Sequence, residues 1–392
     1  MMISRISYLY WVISLVCLVA SCGEKDVIRV LEEPCPIDFS VADFSAEVKG
    51  GDLTEEIPSF GVFATVEQAV NESFRGFVNA TNLQPFMTDV PVKFENGAWR
   101  TSPTYYWPLL QDKLLSFFAY APHSSYPSTT SSAAIVPEAG WNRAQNPDKN
   151  IRITYTLDPN PYNHIDLCVA QAVIDRVRDT DGDGNMDPVK FEFKHTLSAL
   201  SFAANYIGTL PYLDCTLRID KLVLGNVVNS NTLTYTSGTA GFYAWDEIDL
   251  TAARTGSYTL STGDLTLSLQ RPITPKGQND DSPQYTEFVT GDGVIYALPQ
   301  TINPLVPDQN TKMDYTKMDV TFSYMRGDVQ IGQFRSSINL PTKVLEMGKK
   351  YLFKFTIDVN NTSLVRIECQ DQGHWIVDWA NAQQNHKDTM IK

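Results

Sequence analysis

Helical spacing is what this sequence most plainly lacks. Apolar side chains rarely recur at every third or fourth position, so a helical architecture finds no support. Basic clusters are missing as well. No run of lysines and arginines occurs, and the formal net charge is −14 at pH 7, which argues against nucleic acid and anionic lipid heads as partners. Cysteine is scarce. Its six copies show no C-x-x-C spacing and no cluster of histidines accompanies them, so zinc is not expected. The five histidines, His123, His164, His195, His374 and His386, are scattered, and H-E-x-x-H, G-x-S-x-G and phosphate-loop motifs are all absent. Catalysis therefore finds no support, although the abundant aspartates and glutamates could pair in space unseen. What remains is a packed globular composition, 43% hydrophobic and 19% charged, too apolar for a disordered chain.

The membrane signal lies at the start. In MMISRISYLYWVISLVCLVASC a single positive charge, Arg5, precedes an apolar run from Ile6 to Val19 and then small residues before Cys22. That is the pattern of a secretory signal peptide, and the run is too short to span a bilayer. Its end, Val19-Ala20-Ser21-Cys22, resembles a bacterial lipobox, in which diacylglycerol is placed on the cysteine thiol before the chain is cut. Residues 1–21 are then removed, Cys22 carries a covalent lipid, and residues 22–36 form a linker. Two or more acyl chains, at about 0.8 kcal/mol per buried methylene, hold a protein on a bilayer. The expected location is the cell envelope. Cys17 leaves with the signal, so Cys35, Cys168, Cys215 and Cys369 remain, which leaves room for one or two disulfides.

The dominant periodicity is two. Ile151, Ile153, Tyr155 and Leu157 alternate with Arg152, Thr154 and Thr156, and KKYLFKFTIDV repeats the pattern at residues 349–359. Asn96-Gly97, Gly263-Asp264 and Gly327-Asp328 supply tight hairpin turns between such runs. Short strands about ten residues apart with turns of this kind predict an all-β chain of β-sandwich domains. The polar stretch DTDGDGNMDP suggests a boundary, giving one sandwich over residues 37–187, a second over 188–380, and a polar tail over 381–392. Two long connections, residues 122–150 and 274–285, read as functional or mobile loops.

The segment YYWPLLQDKLLSFFAYAP, residues 105–122, holds six aromatics and poses a choice between ligand platform, membrane wedge and core. LLSFFAYAP reads as a strand apolar on both faces, with Leu115 and Phe117 on one and Leu114, Phe118 and Tyr120 on the other. A strand covered from both sides accommodates that best, so core is the expectation.

In order along the chain come FGVFA, FMTDVPVKFENGAW, YYWP, LSFFAYAP, DLCVAQA, VKFEFKHTLSALSF, GKKYLFKFTIDV and WIVDW. Together with the lipobox, this series resembles the fimbrillin family of lipoprotein precursors from anaerobic Gram-negative bacteria. The resemblance implies two transthyretin-like β-sandwich domains in tandem, delivered to the outer membrane and cell surface. It also implies partners among other fimbrial subunits or receptors on host and bacterial surfaces. Fimbrial members are associated with cleavage after an arginine near the N-terminus, which frees a groove for a neighbour's strand. Here AEVKGGDL, residues 46–53, lacks that arginine, leaving Arg29 and Arg75 as candidates. The polar tail is a poor donor strand. Both departures favour a tip, anchor, accessory or adhesin role over a repeating shaft subunit.

Three further features could carry function. Asp179, Asp181, Asp183, Asn185 and Asp187, with Gly184 at the sharp turn, match the start of a calcium loop, but Lys190 stands where a bidentate glutamate is expected. The alternatives are a calcium site of modest affinity and a solvated acidic turn. Arg326-Gly327-Asp328 is a known adhesion tripeptide and also what a tight turn prefers. Finally, Trp141 and Trp245 could stack on sugar rings, so a lipid-anchored glycan-binding protein is the alternative function.

Overall fold

Alternation in the sequence becomes alternation of burial in the strands. The computed structural model describes residues 34–42, 59–68, 84–109, 113–125, 134–138, 151–178, 186–236, 242–246, 262–273, 285–288, 295–302 and 316–374. Among them there is no α-helix, only a short 3-10 turn at Pro161–Asn163. The chain is all-β, as the period of two predicts.

The first sheet has nine strands: β1 (Phe39–Val41), β2 (Phe60–Gln68), β3 (Gln84–Glu95), β4 (Ala98–Thr101), β5 (Lys113–Ala121), β8 (Cys168–Ala170), β9 (Val173–Arg176), β10 (Val189–Phe191) and β11 (Phe193–His195). Its ladder runs β10-β1-β4-β3-β2-β5-β8-β11, with β9 added alongside β5. The two ends of that ladder, β10 and β11, are separated in sequence by Glu192 alone. Four ladder steps separate β1 from β5, about 19 Å on a flat sheet at ~4.8 Å per step. Yet the rings of Phe39 and Phe117 lie 6.1 Å apart. The sheet therefore curls around its own core, which holds Phe39, Phe60, Trp99, Trp107, Phe117 and Phe191 among others.

The second sheet, ordered β15 (Phe242–Trp245), β14 (Ser230–Thr236), β7 (Ile151–Thr156) and β6 (Ala134–Glu138), covers the outer face of the first. Ile151, Ile153 and Tyr155 share a core with Phe63, Phe118 and Tyr120. β5 is thus buried on both sides: Leu115, Phe117, Ala119 and Ala121 enter the first core, Phe118 and Tyr120 the second. The aromatic segment is core. Its packing leaves no room at Gly61 of β2, where an added Cβ would sit 2.3 Å from the Tyr120 ring.

Two more sheets enclose a third core. One contains β12 (Ser198–Ile207), β17 (Thr286–Phe288), β18 (Ile295–Ala297), β23 (Lys349–Asp358) and β24 (Ser363–His374). The other contains β13 (Cys215–Val228), β16 (Thr262–Ile273), β20 (Lys317–Arg326) and β21 (Val329–Asn339). Phe202, Phe353 and Phe355 from the first meet Leu217, Leu222, Met318 and Phe322 from the second. A small ladder of β19 (Gln300–Ile302) with β22 (Lys343–Leu345) contributes Ile302 and Leu345.

Two expectations are corrected. The division expected between 187 and 188 falls beside a strand of the first sheet, because β10 pairs in parallel with β1 and buries Val189 and Phe191 in the first core. β14 and β15 likewise join β7, so residues 230–245 also serve the N-terminal half. Within the long connection 122–150, Ala134–Glu138 forms β6. Pro137 disguises it, but β6 is an edge strand, where a missing N–H is tolerated.

Candidate functional site

The first strand is held from both sides. β1 pairs with β10 at Phe39↔Val189, Ser40↔Lys190 and Val41↔Phe191, and with β4 at Phe39↔Trp99. Backbone bonds extend the grip to its flanks: Ile37 N–H donates to Tyr105 O at 2.9 Å, and Ala42 N–H to Phe191 O at 2.8 Å. Ile37 and Phe39 are buried, and Phe39 stacks on Phe191 and meets Phe60 edge-on. β1 thereby fills the gap between β4 and β10. Withdrawing it would leave β4 and β10 with unpaired edges and a slot one strand wide.

A second constellation lies on the inner face of β8 and β11. The antiparallel register sets His195 opposite Cys168, and Asp166, two residues before Cys168, falls on the same face. His195 Nδ1 lies 2.5 Å from Asp166 Oδ2, while Cys168 Sγ lies 3.4 Å from that oxygen and 3.6 Å from Nδ1. The Cys168 and His195 side chains are buried and Asp166 nearly so. Burial, and then the Asp166 charge, pushes the Cys168 thiol well above its ordinary range. The three side chains form a group of metal-ligand type, with one histidine beside a cysteine that no spacing in the sequence connects to it. Cys168 and His195 stand 27 positions apart in the sequence. Only the strand pairing joins them, and the sequence signal was no more than two short strand-like runs, DLCVAQA and VKFEFKH.

A family model described as fimbrillin-like matches residues 47–371. The chain belongs to the fimbrillin-like family. Among solved structures it is similar to a fimbrial protein from Bacteroides vulgatus, with 19% identity, a TM-score of 0.54, and coverage of 88% of this chain and 100% of that one. That likeness shows a shared fold. A protein provisionally assigned to cell adhesion from Bacteroides uniformis is 15% identical, with a TM-score of 0.38 and coverage of 87% and 99%. One from Bacteroides ovatus is 13% identical, with a TM-score of 0.39 and coverage of 88% and 99%. No curated protein sequence matches the chain.

In this fimbrillin-like chain the remaining candidates fall in separate places. Gly327 and Asp328 form the turn between β20 and β21, with Gly327 at φ +56°. Arg326, the last residue of β20, donates from Nε to Asp214 at 2.7 Å and lies over the Tyr212 ring. Its guanidinium is engaged within the molecule, as a hairpin residue would be. Trp245 is a strand residue, not a loop platform: its indole N–H donates to Thr196 O at 2.6 Å and its ring meets Tyr155 edge-on. Cys35, Cys168, Cys215 and Cys369 are all free thiols, so the disulfides allowed by sequence are not formed. Asp187 is exposed just before β10. Cys22, Arg29, Arg75, Trp141, Asp179, Asp181, Asp183 and Asn185 lie outside the described residues.

Proposed function

We propose that this protein serves adhesion at the cell surface as a lipid-anchored fimbrial component, at a tip, anchor or accessory position more than in a repeating shaft. The observation that carries the reading is β1, held between β4 and β10 with Phe39 in the core. A slot shaped by a strand of the same chain is also a slot that a neighbour's strand fits, through main-chain bonds and alternate side-chain pockets. Family membership supports the fimbrial assignment. The terminal position rests on the sequence. Cleavage after Arg29 would leave β1 in place, and cleavage after Arg75 would remove β2, which sits between β3 and β5 and buries Phe60 and Val62.

Electron microscopy of surface-labelled cells tests this. Antibody label should sit on the cell surface or at fimbrial ends, and cells lacking the protein should adhere less. The Cys22→Ala chain should be released or left unprocessed. Purified mature protein should stay monomeric, and long filaments formed after arginine-specific cleavage would establish a shaft role instead.

We also propose one calcium ion at Asp179, Asp181, Asp183, the Asn185 carbonyl and Asp187. Clustered carboxylates repel one another unless a cation compensates them. A ligand that binds only the folded state raises the melting temperature as its concentration rises. Titration calorimetry with calcium should give heat near one equivalent, and neither heat nor thermal shift at millimolar calcium would retire the site.

A further inference from the structure

We infer that Asp166, Cys168 and His195 form a structural binding site for a zinc-class divalent cation on the inner face of β8 and β11. The donor set is one thiolate sulfur, one imidazole nitrogen and one carboxylate, a combination that zinc accepts in tetrahedral geometry. With zinc–sulfur bonds of about 2.3 Å and zinc–nitrogen or zinc–oxygen bonds of about 2.1 Å, tetrahedral angles place S···N and S···O at ~3.6 Å and N···O at ~3.4 Å. The structure has S···N at 3.6 Å and S···O at 3.4 Å. Only the Asp166–His195 pair, at 2.5 Å, is too close, because a hydrogen-bonding proton now lies between the two. Replacing that proton by the ion requires an opening of under about 1 Å.

Charge favours the same ligand. A thiolate and a carboxylate together carry two negative charges, and a divalent cation cancels both, so the loaded site is neutral where a buried net charge would be costly. Asp166 Oδ1 is buried with no hydrogen-bond partner among the described residues, and coordination by both carboxylate oxygens would satisfy it. Loading the site releases the thiol proton to solvent, while the imidazole proton passes from Nδ1 to Nε2 and leaves the ring neutral.

The surrounding frame is already fixed. The backbone carbonyls of Ile165 and Leu167, on either side of Asp166, accept from the Tyr155 and Thr196 hydroxyls. Ala170 O accepts from the Tyr235 hydroxyl, and Thr196 O, next to His195, accepts from the Trp245 indole. Thr196 and three side chains of the second sheet, Tyr155, Tyr235 and Trp245, thereby hold the strand segments that carry all three ligands, which limits the reorganisation needed on binding. The ion would tie β8 to β11 at the end of the curled ladder, immediately before the chain passes into β12.

Cobalt(II) is the probe. Added to the purified mature chain, one equivalent should give the strong visible bands of four-coordinate cobalt and a near-ultraviolet thiolate charge-transfer band, and zinc should abolish both. Cys168→Ala and His195→Gln should lose the bands, while Cys35→Ser, Cys215→Ser and Cys369→Ser should keep them. Zinc should also raise the melting temperature of the wild-type chain but not of Cys168→Ala. If either site variant fails to fold, X-ray absorption on the zinc-loaded wild type decides. One sulfur neighbour at about 2.3 Å supports the site, and a shell of nitrogen and oxygen alone overturns it. Absence of the cobalt bands in folded wild type, or their survival in Cys168→Ala, also overturns it.

Discussion

Phe117→Ala is expected to lower the unfolding free energy by about 3–5 kcal/mol, the range for removing a large aromatic side chain from a packed core. Phe117 is fully buried on β5, opposite Ala64 of β2 and Val173 of β9. Its ring meets Phe39 of β1 and Trp107 edge-on, so truncation opens a void at the centre of the curled sheet and loosens the strand that fills the slot. Tyr106→Ala, in the same aromatic segment, is the comparison. Tyr106 is 45% exposed, and its removal should change stability by no more than about 0.5 kcal/mol. Urea unfolding of both variants separates the alternatives for the segment. Two small, equal changes in midpoint would show that its aromatics are not core.

How far the sequence revealed this arrangement depends on which interactions are local. β7 and β23 are legible because burying one face of a strand forces alternation, and β5 because burying both faces forces a continuous apolar run. Pairing partners are another matter. DTDGDGNMDP reads as a linker because it is polar, but a loop's polarity does not say which sheet the next strand enters. Val189 buries its side chain against the first core, in parallel with Phe39 from the far end of the chain. The Asp166–Cys168–His195 group was hidden for the same reason. Alternation places Asp166 and Cys168 on one face of a strand, but only the β8–β11 register brings His195 across from them. Trp245 shows the reverse error: an aromatic near a turn looks exposed until the strand beneath it is known to cover a core.

His164 gives the other large effect, an acid-induced loss of stability between about pH 6.5 and pH 4. Its ring is buried and stacks on Tyr296. Nδ1 accepts the Tyr296 backbone N–H at 3.1 Å, so the proton belongs on Nε2, which donates to Asp158 O at 2.9 Å. Both ring nitrogens are used by the neutral imidazole. A second proton on Nδ1 would point at another donor, and burial alone already disfavours the charge. Desolvation outweighs the opposing pull of Asp158 and lowers the His164 pKa to about 4 from an ordinary 6.5. Between those values the unfolded chain binds a proton that the folded chain refuses, so each step down in pH favours unfolding. The His164 contribution is complete above about pH 6.5 and falls by about 3 kcal/mol on the way to pH 4, below which the folded state is protonated too. Asp89 and Asp319, held below the usual carboxylate range, lose their contributions only as pH falls through and below their ordinary value of 3.8, so the windows separate. The measurement is urea unfolding at intervals from pH 7.5 to about pH 4, with chelator present to keep any metal at the nearby ligand group out of the titration. His164→Gln, whose amide can still accept from one neighbour and donate to the other, should be less stable at neutral pH. It should also show almost no slope in this window. An unchanged slope in that variant would assign the acid sensitivity to another group.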